Sequence, residues 1–63
     1  MRCADCHLAI DFYGEDVTVT VVFKDGRVEK RCHHNPFDES DPEIVAILGS
    51  QRCYDLWREK AES

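Results

Sequence analysis

Apolar and polar side chains alternate most regularly between Val17 and Lys24. Val17, Val19, Val21 and Phe23 fall on one side of an extended chain and Thr18, Thr20, Val22 and Lys24 on the other, which predicts a strand over 17–24. Asp25-Gly26 follows, and a second alternating run continues from Arg27 to Cys32. An Asp-Gly pair between two such runs predicts a two-residue type I′ hairpin, because both central residues of that turn need φ > 0. With Lys24 opposite Arg27, Phe23 faces Val28, Val21 faces Lys30 and Val19 faces Cys32, so Cys32 is expected on the apolar face. Leu8, Ile10 and Phe12 alternate with Ala9 and Asp11 and predict a further strand over 8–12. Strands over about 8–12, 17–24 and 27–32 would form a hairpin or a three-stranded meander.

The period then changes. Ile44, Val45, Ile47 and Leu48 are spaced as a helical stripe and predict a short helix over 42–48. Asp41 would be its N-cap, Pro42 its first residue and Gly49 its stop. Ser50 is expected to cap a second helix over 51–61, with Cys53, Leu56 and Trp57 on its apolar stripe and Tyr54 beside them. The expected architecture is one small α+β domain over residues 1–63.

Length makes a staple necessary. A chain of 63 residues buries only about 60% of the surface its unfolded form exposes, and cores this small usually need a metal, disulfides or a partner. Four cysteines, Cys3, Cys6, Cys32 and Cys53, are available. No apolar run is long enough for a membrane span and residues 1–20 lack a secretory signal pattern, so a cytoplasmic location is expected. There glutathione keeps thiols reduced, and spaced cysteines are more often metal ligands than disulfides. Cys3-Ala4-Asp5-Cys6 has the spacing of a zinc knuckle, whose tight turn aims both sulfurs at one ion about 2.3 Å away. His7 stands where such knuckles need φ > 0, and His is among the non-glycine residues that tolerate it. Cys53 falls in the first turn of the expected second helix, where the helix N-terminus favours a thiolate. The reading is one structural Zn²⁺ held by Cys3, Cys6, Cys32 and Cys53, with His33 or His34 as a substitute ligand. Neighbouring residues on an extended segment point opposite ways, so at most one of the two histidines would face the ion.

The order of knuckle, β-hairpin and ligand-bearing helix resembles a treble-clef zinc finger. Ser50-Gln51-Arg52-Cys53 followed by Trp57 is similar to the helix-start Ser-x-x-Cys with an aromatic at Cys+4 in the FCS/MYM/TRASH-like fingers. Those fingers usually place their third cysteine immediately before that serine, and here Gly49 occupies the place, which leaves Cys32 as the natural donor. The resemblance implies a module that contacts proteins or nucleic acids.

Charge narrows the choice. Eight basic against 13 acidic residues give a formal charge of −5, and thiolate ligation makes it more negative still. That field repels phosphate backbones, so another protein, one with a basic surface, is the expected partner and the module is read as regulatory or inhibitory. Phe37, following Pro36 in a polar loop, is the expected exposed anchor, with Asp38 and Glu39 beside it as a docking surface. The alternative is a nucleic-acid-binding finger that uses Lys24, Arg27 and Arg31 with Thr18 and Thr20 on the outer hairpin face. Cys3-x-x-Cys6-His7 also matches c-type haem attachment, which a visible spectrum would test. His33-His34-Asn35 lacks the further His and Asn that a His-Asn-His nuclease needs on its helix, and no other catalytic set is present, so no enzymatic activity is expected.

Overall fold

The computed structural model describes residues 1–62; Ser63, the last residue of the expected domain, lies outside the described residues. Three strands and one helix follow in order: β1 (Val19–Phe23), β2 (Val28–Arg31), β3 (Ile44–Leu48) and α1 (Gln51–Glu62). The strands form one antiparallel sheet in the order β2-β1-β3.

Every residue of the central strand β1 is buried, because both faces of the sheet are covered. On one face Val22, Ala46 and Leu48 pack with Cys3, and Cys53, Tyr54 and Trp57 of α1 close over them. On the other, Val19, Val21 and Phe23 pack with Phe12, and Ile44, Ile47 and Phe37 complete the cluster. Ile10 touches both clusters. The predicted alternation along β1 is therefore present, but Thr20 and Val22 are enclosed along with the valines opposite.

Residues 42–48, expected as a helix, are instead a turn followed by β3. The Asp41 carboxylate does accept the Glu43 N–H at 2.9 Å, as a cap would, but the chain then extends. A run of five apolar residues between turn formers is too short for period to separate helix from buried strand. Two β-branched isoleucines and a valine tip it toward the sheet, where β1 offers an unpaired edge. The pairing changes register between Val22 and Phe23, which leaves Val45 as the extra residue of a bulge and 53% exposed.

The β1–β2 hairpin forms, one residue out of the expected register. Val22 lies opposite Val28, Val21 opposite Glu29, Thr20 opposite Lys30 and Val19 opposite Arg31. The loop is the cause. Gly26 N–H donates to the Phe23 carbonyl at 3.0 Å, Phe23 N–H donates to the Arg27 carbonyl at 2.9 Å, and Gly26 alone in the loop has a positive φ, 93°. That is a three-residue loop closed by a glycine bulge, not a type I′ turn. A one-residue slip exchanges faces, so Cys32 leaves the Val19 face and Arg31 takes its place. Arg31 is partly buried and bonded to Glu29, which puts the charged stretch of β2 on an outer edge, where it discourages further strand pairing.

Residues 8–12 form no strand among the described residues; their ladder contact is the single bridge Arg2–Ala9. The segment folds back on the chain start, with Cys3 N–H on the Leu8 carbonyl at 3.1 Å and Ile10 N–H on the Met1 carbonyl at 2.9 Å. It closes the knuckle and delivers Phe12 to the core.

α1 is as expected. Ser50 Oγ accepts the Cys53 N–H at 3.1 Å, the N-cap bond that satisfies one of the free amides of the first turn. Ser50→Ala should lower stability by about 1 kcal/mol, and Ser50→Asp should retain most of it; urea denaturation measures both. The last turn is tied back by Lys60 Nζ on Asp5 Oδ1 at 2.8 Å, and the Asp5 carboxylate raises the Lys60 pKa.

Candidate metal centre

The knuckle and the start of α1 converge. Ligand atoms of Cys3, Cys6 and Cys53 all lie within 4.8 Å of one another, the only such group of cysteine, histidine and carboxylate ligands among the described residues. Tetrahedral zinc with sulfurs at about 2.3 Å holds them about 3.8 Å apart, so a small closure brings this set to ligation distance. These three side chains could hold a metal ion.

Local structure explains the convergence. His7 N–H donates to the Cys3 carbonyl at 3.0 Å, and His7 has φ 62°, the left-handed conformation expected just after the knuckle. Ala4 N–H donates to the Ile47 carbonyl at 2.9 Å and fastens the knuckle to the edge of β3. Gly49, between β3 and α1, directs its N–H at Cys3 Sγ, 3.5 Å away. The cap at Ser50 then sets the first turn of α1 so that Cys53 faces the knuckle. Cys3 is 2% exposed, Cys53 half-buried and Cys6 exposed.

The environment favours thiolate at Cys3. Burial opposes it, but the N–H groups of Cys6, Gly49 and Asp5 and the Cys6 thiol hydrogen-bond the sulfur and bring its pKa from 9.0 down to about 7. At Cys53 the Ser50 hydroxyl favours the thiolate, yet hydrogen bonding with and repulsion from Cys3, with partial burial, push its pKa up. Gathering three sulfurs at one point makes it costly to ionise more than one of them, a cost that a thiophilic cation would remove.

Cys32 is not brought to this cluster. It lies with His33 and His34 in a separate recess of about 480 Å³, also lined by Glu15, Asp16, Val17 and Thr18. A groove of about 310 Å³ runs beside the three clustered cysteines, lined by Leu8, Ala9, Ile10, Gly49 and Ser50. His33 and His34 do not point opposite ways, because residues 32–35 form a turn, and their rings lie 3.8 Å apart.

Phe37, expected as an exposed anchor, is partly buried and packs edge-on against Phe12 with ring centroids 5.4 Å apart. The outward aromatic ring is instead Tyr13, 81% exposed, which also packs edge-on against Phe12, 5.7 Å away. Tyr13-Gly14 reads as a plain turn, and nothing in the local pattern distinguishes an outward tyrosine from an inward one. Asp38 and Glu39 are exposed as expected. Hydrogen bonds from the Ser40 hydroxyl and N–H hold Asp38 below the usual carboxylate range.

No family model, curated protein or solved structure matches the chain. No helix among the described residues is long and apolar enough to cross a membrane.

Proposed function

We propose that the protein is a zinc-stapled binding module in which Cys3, Cys6 and Cys53 hold a structural Zn²⁺ and the surface contacts another protein. The convergence of the three thiols from the chain start and the helix start carries this reading. Thiolate donors suit Zn²⁺, and a knuckle on a small sheet with a cysteine in the first helical turn is similar to the order of treble-clef fingers, here with β3 between hairpin and helix. Cys3, Cys6 and Cys53 would supply three thiolates, and the groove beside them, lined by Leu8, Ala9 and Ile10, would leave room for a fourth ligand from outside the cluster. Native mass spectrometry of gently purified, reduced protein should show one zinc that is lost on denaturation; a bare-chain mass, or a haem adduct, would sink the reading.

For the partner, the supporting observations are the net acidity and the exposed Asp38 and Glu39 near the aromatic group formed by Tyr13, Phe12 and Phe37. A basic, apolar-tipped protein surface suits that combination. A protein captured by the wild type at low salt should be lost on Asp38→Lys/Glu39→Lys or Tyr13→Ala. The nucleic-acid reading has less support, since Arg27 is engaged by Asp25 and Glu29, Arg31 by Glu29, and Thr20 is 3% exposed. A salt-sensitive shift on DNA or RNA that Arg27→Glu weakens would reverse that preference.

A further inference from the structure

The segment Cys32-His33-His34 is left unused by the three-cysteine cluster. Asn35 N–H donates to the Cys32 carbonyl at 2.9 Å, so the two histidines occupy the corners of a tight turn just beyond β2. That turn brings their rings together, 3.8 Å apart and inclined by 42°. With Cys32 they form one wall of the 480 Å³ recess, and Glu15 and Asp16, from the turn that leads into β1, contribute to its lining. A thiol, two imidazoles and two exposed carboxylates thus line one opening. His33 Nδ1 is buried without a hydrogen-bond partner. Buried nitrogens of this kind are normally paired, and an imidazole nitrogen can be paired by a metal ion.

We propose that this recess is a second, weaker site for a divalent transition metal of the zinc type, with Cys32 and the His33–His34 pair as ligands and Glu15 or Asp16 completing the set. Mixed sulfur, nitrogen and oxygen donors suit Zn²⁺ and Co²⁺. The donor atoms of the recess are more widely spread than those of Cys3, Cys6 and Cys53, so the site closes on its ion. Its ion exchanges with free metal while the three-thiolate ion stays. The recess then works as a reader of available metal on a domain whose fold is held by another ion.

The test is a Zn²⁺ titration followed by native mass spectrometry, repeated with Co²⁺ to follow thiolate-to-metal charge-transfer absorption. Wild-type protein should bind two ions, and a competing chelator should remove one at a concentration at least about tenfold lower than the other. His34→Ala, at an exposed position, should weaken the second ion about tenfold or more and leave the first and the melting temperature of the one-ion form unchanged. Cys32→Ser should remove one thiolate's share of the cobalt absorption from the second step only. Cys6→Ser should act on the first ion, so that failure at either site is read separately. One ion at saturating zinc, two ions undiminished in His33→Ala/His34→Ala, or loss in Cys32→Ser of the tightly held ion in place of the weaker one would each overturn the proposal. The last outcome would place Cys32 in the three-cysteine centre.

Discussion

Stripping the metal from the loaded protein should abolish its cooperative melt. Structural zinc contributes about 10–16 kcal/mol of apparent binding free energy in small zinc domains near neutral pH. A chain of this length has about 3–9 kcal/mol of stability in all, by the usual range per residue. The packing explains why so little would remain. Cys3 is a core residue of the face that joins the sheet to α1, and Cys53 and Trp57 rest on the same cluster. Without a cation, Cys3 near neutrality is divided between thiol and thiolate, and Cys53, pushed up by it, stays protonated a short distance away. The pair then contributes little to hold the helix on the sheet. Circular dichroism melts with and without a strong chelator measure the effect, and restored zinc should restore the transition. Cys53→Ser should do nearly as much as chelation. A cooperative, unshifted melt in that variant would remove Cys53 from the centre and with it the account of the fold.

The second large effect is expected at Leu48. It is fully buried, pairs with Thr20 across the sheet and touches the cluster beneath α1. Leu48→Ala should cost about 2–5 kcal/mol, a large share of what a domain this small has to lose. Val45→Ala, earlier on the same strand, should change stability by no more than about 0.5 kcal/mol, since the bulge turns Val45 out to solvent. Urea denaturation of the two variants compares them directly. Had 42–48 been the helix its period suggests, Val45 and Leu48 would lie one turn apart on one face and both substitutions would be costly. Equal losses at the two positions would contradict the strand.

Much of this architecture is legible in the residues. The alternation at Val17–Lys24, the Ser50 cap and the Cys-x-x-Cys spacing are local signals, and β1, α1 and the knuckle form where they point. The rest was decided by tertiary choices. Five apolar residues at 44–48 suit either element, and the free edge of β1 decided for a strand. Asp25-Gly26 closes a hairpin in two loop geometries that differ by one residue, and that difference moved Cys32 to the other face. Cys32 stays apart from Cys3, Cys6 and Cys53 for a different reason: it follows β2, at the opposite edge of the sheet from β3, where the knuckle is fastened. Phe37 after Pro36 reads as exposed in isolation, but Phe12 on a folded-back N-terminal segment offers it a ring to pack on. Leu56 shows the converse. It sits on the expected stripe and yet is 38% exposed, and the helix face that packs on the sheet is the one carrying Cys53, Tyr54 and Trp57.

The distance along the chain between the three clustered cysteines has a kinetic consequence. Cys3 and Cys6 are near neighbours and can grip an ion in the unfolded chain, while Cys53 lies fifty positions downstream of Cys3. Closing that loop costs entropy that grows only slowly with length, but it must be met before the third bond rewards it. β1 must likewise wait for β3, which arrives after the long connection from β2. Both are contacts of high sequence separation, and such contacts slow folding. An ion bound by these cysteines would therefore be gripped first by the knuckle, and the hairpin, closed by its short glycine-bulged loop, is the part of the sheet with the most local contacts. Cys53 would then be the last of the three thiols to reach the ion, because its contact with the knuckle spans most of the chain.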